Sequence, residues 1–227
     1  MTDSSTLVSN TESEAEIIFP PSDLYSNEPP MDSDLHLKQV ILLIQSLERH
    51  WRSRQDFYVA GNLSVYYSRQ QIESGNWRSP DFFVALKTER KPRKSWVVWK
   101  EDGKYPHVIV EIFSQKNTSA DRQWKKELYQ KIFRAPQYFW FDLETLELQG
   151  FIFKGGDYAE IAANESGDLW SEELGLYLGR RDRQLRFFTA EGELVLTPEE
   201  IADRETQRAD RLAAKLWELN IDPDSIE

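Results

Sequence analysis

Apolar residues recur along this chain at two spacings, which predict that helices and strands alternate along it. A first helix is predicted to begin after Ser33 or Asp34 and to end near Trp51. Its apolar residues, three and four positions apart, are Leu37, Val40, Ile41, Ile44 and Leu47. This spacing places them on one face of the helix, which we expect to be buried.

Two further helices are indicated by their end signals. One is predicted from about Ser119 to Phe133, because Pro136 cannot continue it. The other begins at Thr197-Pro198-Glu199-Glu200, where a capping Thr, a Pro in the first turn and a Glu three residues after the cap form a strong start. It is predicted to run to about Leu219.

Short apolar or alternating runs bounded by turn residues predict strands, with a loop at residues 75–80. The mixture of elements indicates one α/β (α+β) core with extra β-hairpins and a C-terminal helix. We predict an acidic, mostly disordered lead over residues 1–34, a core domain over 35–190 and an amphipathic helix over 197–220. The predicted strands are residues 57–60, 63–67, 82–86, 108–113, 138–141, 146–153, 158–161, 174–178 and 185–188.

Composition limits the classes of protein. The 227 residues include no Cys, which excludes disulfides and thiolate metal sites and suits a cytoplasmic location. No apolar run is long enough to span a membrane, and the N-terminus lacks the pattern of a secretory signal. The net charge of −11 comes from the ends of the chain: residues 35–189 hold 20 acids and 24 bases. A DNA partner for the middle is therefore permitted but not indicated.

Two carboxylates are candidates for chemistry. In the run 108–113, alternation places Glu111 on one face with Ile109 and Phe113, where an ionised carboxylate needs a cation or hydrogen bonds. Asp81 precedes the run 82–86, and antiparallel pairing of these two runs would make the carboxylates near neighbours. A metal ion between them would offset their repulsion. The alternatives are a Glu111–Arg ion pair and a structural turn at Pro80-Asp81.

Lys125 is the third candidate. Helical spacing predicts that Trp124, Leu128 and Ile132 face the core, with Lys125 among them and Lys126 pointing away. A Lys on an apolar face needs an anionic partner, which a carboxylate or phosphate could supply. An ion pair with Asp121 four residues earlier accounts for the pattern equally well.

These residues resemble the Uma-two (Uma2) family of restriction-endonuclease-like proteins. The resemblance covers the chain from near His36 to about Leu178. It rests on Pro80-Asp81, Val110-Glu111-Ile112-Phe113-Ser114, Asp121-Arg122, Lys125, Tyr129 and Tyr138-Phe139-Trp140-Phe141-Asp142. It implies the PD-(D/E)XK nuclease fold, a mixed sheet flanked by helices. Phe113 stands where that superfamily has a strand Lys, and Lys125 matches the Lys that the family carries on the next helix.

The resemblance also implies an activity, the hydrolysis of DNA phosphodiester bonds with Mg²⁺ or Mn²⁺. Asp81, Glu111 and the backbone carbonyl of Ile112 would hold the metal, and Lys125 would act on the nucleophile or the phosphate. The alternative is a non-catalytic nuclease-fold protein that binds DNA or acts as an adaptor, which the acidic ends and the absent strand Lys favour.

Other polar residues carry weaker signals. His36, His50 and His107 lack metal-ligand spacing and are predicted to be surface or structural residues. A basic loop can either contact DNA phosphates or be a solvated loop packed by Trp96 and Trp99; its cations are Arg90, Lys91, Arg93 and Lys94.

The last helix carries a short seven-residue repeat. Ala202, Ala209 and Leu216 form one row and Glu205, Leu212 and Leu219 the other. This pattern is typical of a coiled-coil seam with one polar defect, which would support a homodimer. Packing of the helix on its own domain explains it equally well.

Overall fold

The structure, a computed structural model, describes residues 25, 26, 31, 33–68, 77–114 and 116–223. The predicted acidic lead, residues 1–34, falls mostly outside these residues. Three α-helices lie within them: α1 (Asp34–His50), α2 (Ser119–Leu128) and α3 (Pro198–Glu218). A π-helical turn, Tyr129–Phe133, continues α2. Within the described part of the chain, none of the helices has the length and apolar character that a membrane span requires.

Twelve strands are formed by the described residues. Nine overlap the predicted runs, with ends that differ by up to three residues, and the sequence pattern predicts no strand at the three short strands β3, β5 and β10. The strands are β1 (Phe57–Gly61), β2 (Val65–Tyr66), β3 (Trp77–Arg78), β4 (Phe82–Leu86), β5 (Trp96–Val97), β6 (Val108–Phe113), β7 (Gln137–Asp142), β8 (Leu148–Lys154), β9 (Asp157–Glu160), β10 (Leu169–Ser171), β11 (Leu176–Arg181) and β12 (Gln184–Phe188).

A six-stranded mixed sheet forms the centre, in the order β1-β4-β6-β7-β8-β9. Within this sheet only the neighbours β6 and β7 run parallel, and the other neighbouring strands are antiparallel. The parallel pair is possible because α2 and the π-helical turn form a crossover connection between β6 and β7. Two small sheets accompany it, β3-β2-β5 and β10-β11-β12. The predicted fold class, a mixed sheet flanked by helices with a C-terminal helix, is confirmed.

Each face of the central sheet is covered by a separate apolar layer. On one face, α1 and the sheet β10-β11-β12 bury residues such as Leu43, Val110 and Phe187. On the other face, the π-helical turn and the sheet β3-β2-β5 cover Ile109, Phe113 and their neighbours. Burial on both faces explains why β4, β6 and β7 are apolar almost throughout and are predicted so readily.

The buried face of α1 differs from the predicted one. Ser33 caps the helix as predicted, but Leu37 and Ile41 are exposed, at 43% and 41%. The buried residues are His36, Gln39, Val40, Leu43, Ser46 and Leu47. So many positions of α1 are apolar that their spacing alone does not select the buried face. Gln39 fixes the rotation of the helix, because its side chain bonds to both the N–H and the C=O of Leu185.

The face of α2 is also rotated from the prediction. Trp124 and Ile132 are about half exposed, whereas Leu128, Tyr129 and Phe133 are buried. Two features account for the shift. Thr118 and Asp121 form a capping box at the exposed start of the helix, and the π-helical turn inserts extra backbone after Leu128.

Candidate active site

Asp81 and Glu111 meet at the end of the β4–β6 ladder. The predicted antiparallel pairing of these strands is confirmed, with Phe82 opposite Val110. One further step of this register places Asp81 opposite Glu111. Their carboxyl groups lie within hydrogen-bonding reach of each other. Both residues are buried, Glu111 completely.

Two elements hold the Asp81 carboxylate. Its Oδ1 lies 3.0 Å from Nε2 of His36, at the start of α1, and its Oδ2 accepts the backbone N–H of Ile112 at 2.8 Å. Gly61 allows α1 to come this close, because a Cβ there would lie 2.4 Å from Val40 and 3.2 Å from the carbonyl of Asp81. Burial by itself would raise the pKa of Asp81. The His36 contact and the charge of Lys125 outweigh burial and hold that pKa below its ordinary value.

Glu111 accepts hydrogen bonds from two side chains of the crossover. Lys125 Nζ lies 2.5 Å from its Oε2, and the Tyr129 hydroxyl donates to its Oε1. Burial, together with the charge of Asp81, raises the pKa of Glu111 to about 8, although Lys125 opposes the shift. At neutral pH this pair of carboxyl groups therefore retains a proton.

Lys125 connects the carboxyl pair to solvent. Its side chain is 24% exposed and lies between Leu128 and Tyr129 on the observed face of α2. Burial alone would lower the pKa of Lys125, but the neighbouring carboxylates, Glu111 first, raise it above its ordinary value. The amine therefore stays charged. The alternative partner, Asp121, is engaged in the capping box, and Lys126 lies over the ring of Phe151, 3.8 Å from its centre.

A cleft of about 360 Å³ opens above this cluster. Besides Asp81, Ile112 and Lys125, polar side chains from separate elements line it. Arg78, at the rim, stacks on exposed Trp124 with 4.6 Å between guanidinium carbon and ring centre. The other polar residues along the cleft are His36, Asn62, Ser79 and Asn117.

The basic loop lies elsewhere. It follows the far end of β4, five residues from Asp81, so about 17 Å of strand separates them. The buried guanidinium of Arg93, predicted as a possible DNA backbone contact, bonds to Glu101, Thr88 and two backbone carbonyls. Arg90 and Lys91 form ion pairs with Glu48 and Glu89, and Lys94 lies over the ring of Tyr25.

Sequence reasoning missed three residues of the site. His36 shares a helical face with Val40, Leu43 and Leu47, so a correct face for α1 would have indicated its burial. Tyr129, named above only as part of the family resemblance, is buried, and its bond to Glu111 gives it a polar role in the site. Arg78, in the predicted loop at 75–80, carried no local signal at all.

Tyr129→Phe tests how far Glu111 depends on its hydrogen bonds. Removing this hydroxyl leaves a buried carboxyl oxygen without its donor, and we expect the free energy of unfolding to fall by about 1–3 kcal/mol. Urea denaturation measures the change. Tyr138→Phe is the matched control, because no described residue hydrogen-bonds the equally buried Tyr138 hydroxyl. Equal losses in the two variants would contradict the importance of the Tyr129–Glu111 bond.

Comparison with known proteins points to one family. The model of the Uma2 family, described as "Putative restriction endonuclease", matches residues 22–187, which include Asp81, Glu111 and Lys125 and exclude α3. Among solved structures, the chain resembles a putative nuclease belonging to DUF820 from Anabaena variabilis ATCC 29413. The TM-score is 0.46 at 8% identity, over 65% of this chain and 77% of that chain. No curated protein matches the sequence.

Proposed function

The chain belongs to the Uma2 family, and from this membership and its buried acidic pair we propose that it is a metal-dependent endonuclease that hydrolyses DNA phosphodiester bonds. The proposal rests on the cluster of Asp81, Glu111 and Lys125: Asp81 and Lys125 line the cleft, and Glu111 is buried and bonded to Lys125. The pKa values of these two carboxyl groups and this amine are all shifted from their ordinary values, and the groups lie beside a space open to substrate. Clusters of groups with shifted pKa values are typical of active sites.

The donor set fits Mg²⁺ or Mn²⁺. The N–H of Ile112 donates to Asp81. Because the C=O and the N–H of a strand residue point to the same side of the strand, the Ile112 carbonyl also faces Asp81. The Ile112 carbonyl and both carboxylates therefore offer hard oxygen ligands at one place. Within the described residues no three His, Cys, Asp or Glu side chains form a metal-binding cluster, so waters and substrate phosphate would complete the shell, as Mg²⁺ prefers.

Each residue of the site would have its own role in the proposed reaction. His36 and the N–H of Ile112 keep Asp81 ionised and fixed, while Tyr129 orients Glu111. Lys125, charged and partly exposed, can turn its amine from Glu111 to a phosphate oxygen or to the attacking water. Arg78 at the rim can bind a neighbouring phosphate. A bound Mg²⁺ would polarise the phosphate and lower the pKa of a ligated water.

One observation favours the rival function, a non-catalytic DNA-binding or adaptor module. Lys125 and the retained proton already balance the charge of the carboxyl pair, so the cluster is satisfied as a buried ion network without a metal. Metal binding separates the two functions. An adaptor has no need of an ion at Asp81, whereas the nuclease does.

Nicking of supercoiled plasmid is the direct test of the nuclease. We expect the full chain to nick DNA with Mg²⁺ or Mn²⁺ and to stop on addition of a chelator, because the phosphate then loses its electrophilic catalyst. Asp81→Ala should be inactive while retaining wild-type circular dichroism. Nicking that survives both the chelator and Asp81→Ala would eliminate this site as its source.

Metal binding is expected to release a proton. Because Glu111 holds a proton below its raised pKa of about 8, the metal must displace it. The affinity for Mn²⁺ should therefore rise about tenfold per pH unit up to about pH 8 and then level off. Calorimetry in buffers of different ionisation enthalpy measures the released proton. An affinity that does not change between pH 6 and pH 9 would argue against Glu111 as a ligand.

A further inference from the structure

Trp124 lies on the surface beside the cleft, although the apolar spacing of α2 predicts it in the core. It is 47% exposed, and of the eight tryptophans, all within the described residues, only Trp217 in α3, at 57%, is also this open to solvent. Tryptophan is usually highly buried because its ring is large and apolar. Trp124 immediately precedes Lys125, so this exposed ring stands next to the residue that reaches the carboxyl pair.

Arg78, on the neighbouring strand β3, holds the Trp124 ring in place. Its guanidinium carbon lies 4.6 Å from the centre of that ring, and its Nη1 donates to the carbonyl of Trp77 at 2.5 Å. Arg78 lines the cleft and precedes Asp81 by three residues, so their Cα atoms are at most about 11 Å apart. An aromatic ring is therefore fixed near the proposed reaction centre before any ligand binds.

The cleft is poor in the cations that binding of a DNA duplex requires. Of the described residues that line it, only Arg78 and Lys125 are Lys or Arg. The basic loop lies about 17 Å of strand away, and Arg90, Lys91 and Arg93 there are paired with acids of the chain. A protein that makes about 6–10 phosphate contacts on a duplex needs a matching set of cations. Phosphate contacts at this site are too few for duplex binding.

Base stacking can supply the affinity that phosphate contacts lack. A base stacked on an aromatic side chain strengthens binding by about 5- to 150-fold, whatever its identity. In a duplex the bases cover each other's faces, whereas an unpaired base can offer its face to a protein ring. The cleft, of about 360 Å³, is also too small to admit a duplex, whose major groove alone is about 12 Å wide. A single strand can enter it.

We propose that Trp124 and Arg78 form a stacking platform for an unpaired base, so that the substrate class of this site is DNA with unpaired nucleotides beside the cleaved phosphate. The inference rests on the proposed nuclease function, because it names the substrate of the same site. The base stacks on the exposed surface of the indole ring, and Lys125 faces the adjoining phosphate. Supercoiled plasmid remains a substrate, since negative supercoiling favours local unpairing.

Fluorescence anisotropy with a labelled oligothymidylate, in the presence of a chelator so that no cleavage occurs, tests the platform. We expect the full chain to bind the single strand about tenfold more tightly than a duplex of the same length. Trp124→Ala should weaken single-strand binding by about 5- to 150-fold, whereas Trp124→Phe keeps an aromatic ring and should retain most of the affinity. Trp217→Ala is the matched control, because it removes the other exposed indole ring, which does not line the cleft.

Three results of this experiment would overturn the platform. They are equal affinity for the single strand and the duplex, equal losses in Trp124→Ala and Trp217→Ala, and no binding of the single strand at about 100 µM protein.

Cleavage kinetics on a single-stranded oligonucleotide separate the platform from the nuclease activity. Trp124→Ala is expected to raise KM with little change in kcat, because stacking holds the substrate and the transition state alike, whereas Asp81→Ala should be inactive. Preferential binding of the single strand without any cleavage would contradict the nuclease and support the platform. Faster cleavage of a fully paired duplex than of the single strand would overturn the proposed substrate class.

Discussion

Glu111→Gln is expected to lower metal-dependent DNA cleavage by about a thousandfold or more, because it removes a negative charge from the proposed metal site. The substitution keeps the shape of the side chain. The amide oxygen can still accept the Tyr129 hydroxyl, so the fold should persist. Initial rates of plasmid nicking at saturating Mg²⁺ measure the effect. Glu127→Gln, on the exposed side of α2, provides the control for an added amide.

The same variant has a distinct signature in stability. The folded protein holds a proton on Glu111 up to about pH 8, whereas the unfolded chain releases it near the ordinary value. The stability contributed by this proton is complete below the ordinary pKa of 4.5 and is lost as the pH rises to about 8. We expect Glu111→Gln to lack this decline. Parallel pH profiles for wild type and variant, measured by urea unfolding, would contradict the raised pKa.

Lys125→Ala is expected to reduce cleavage by about a hundredfold or more while binding of Mn²⁺ persists. Removing the amine takes away a donor for the phosphate or the nucleophile, but it leaves both carboxylates in place. The retained metal binding separates loss of catalysis from loss of the fold. Nicking assays and Mn²⁺ calorimetry at a pH above the pKa of Glu111 measure the two effects independently.

Lys126→Ala is the matched control for Lys125→Ala, because the two lysines are adjacent in sequence and their side chains point in different directions from α2. Lys126 lies over Phe151, away from the carboxyl pair, and its loss removes only a cation–π contact. We expect its cleavage rate to stay close to that of wild type. Equal losses at the two positions would show that Lys125 has no special role and that both act as general surface charge.

Much of the local structure followed from the sequence. Fully buried strands such as β4, β6 and β7 are recognisable as apolar runs, and the capping box at Thr197 marked the start of α3. Alternation placed Glu111 with Ile109 and Phe113, and the structure has these two residues on the α2 side of the sheet. The predicted direction of Lys125 was correct although the predicted face of α2 was wrong, because a rotation of about 50° brings the centre of the buried face closer to Lys125.

Tertiary structure decided which polar groups meet. His36 reaches Asp81 across 45 positions of sequence because Gly61 lets α1 approach the sheet, and Gln39 fixes the rotation of that helix. Arg93 is committed to Glu101 by the path of its loop, and no spacing predicts that pairing. Periodicity determines which side of an element is buried. The partner of a buried charge depends on strand order and helix rotation, which arise only when distant segments pack together.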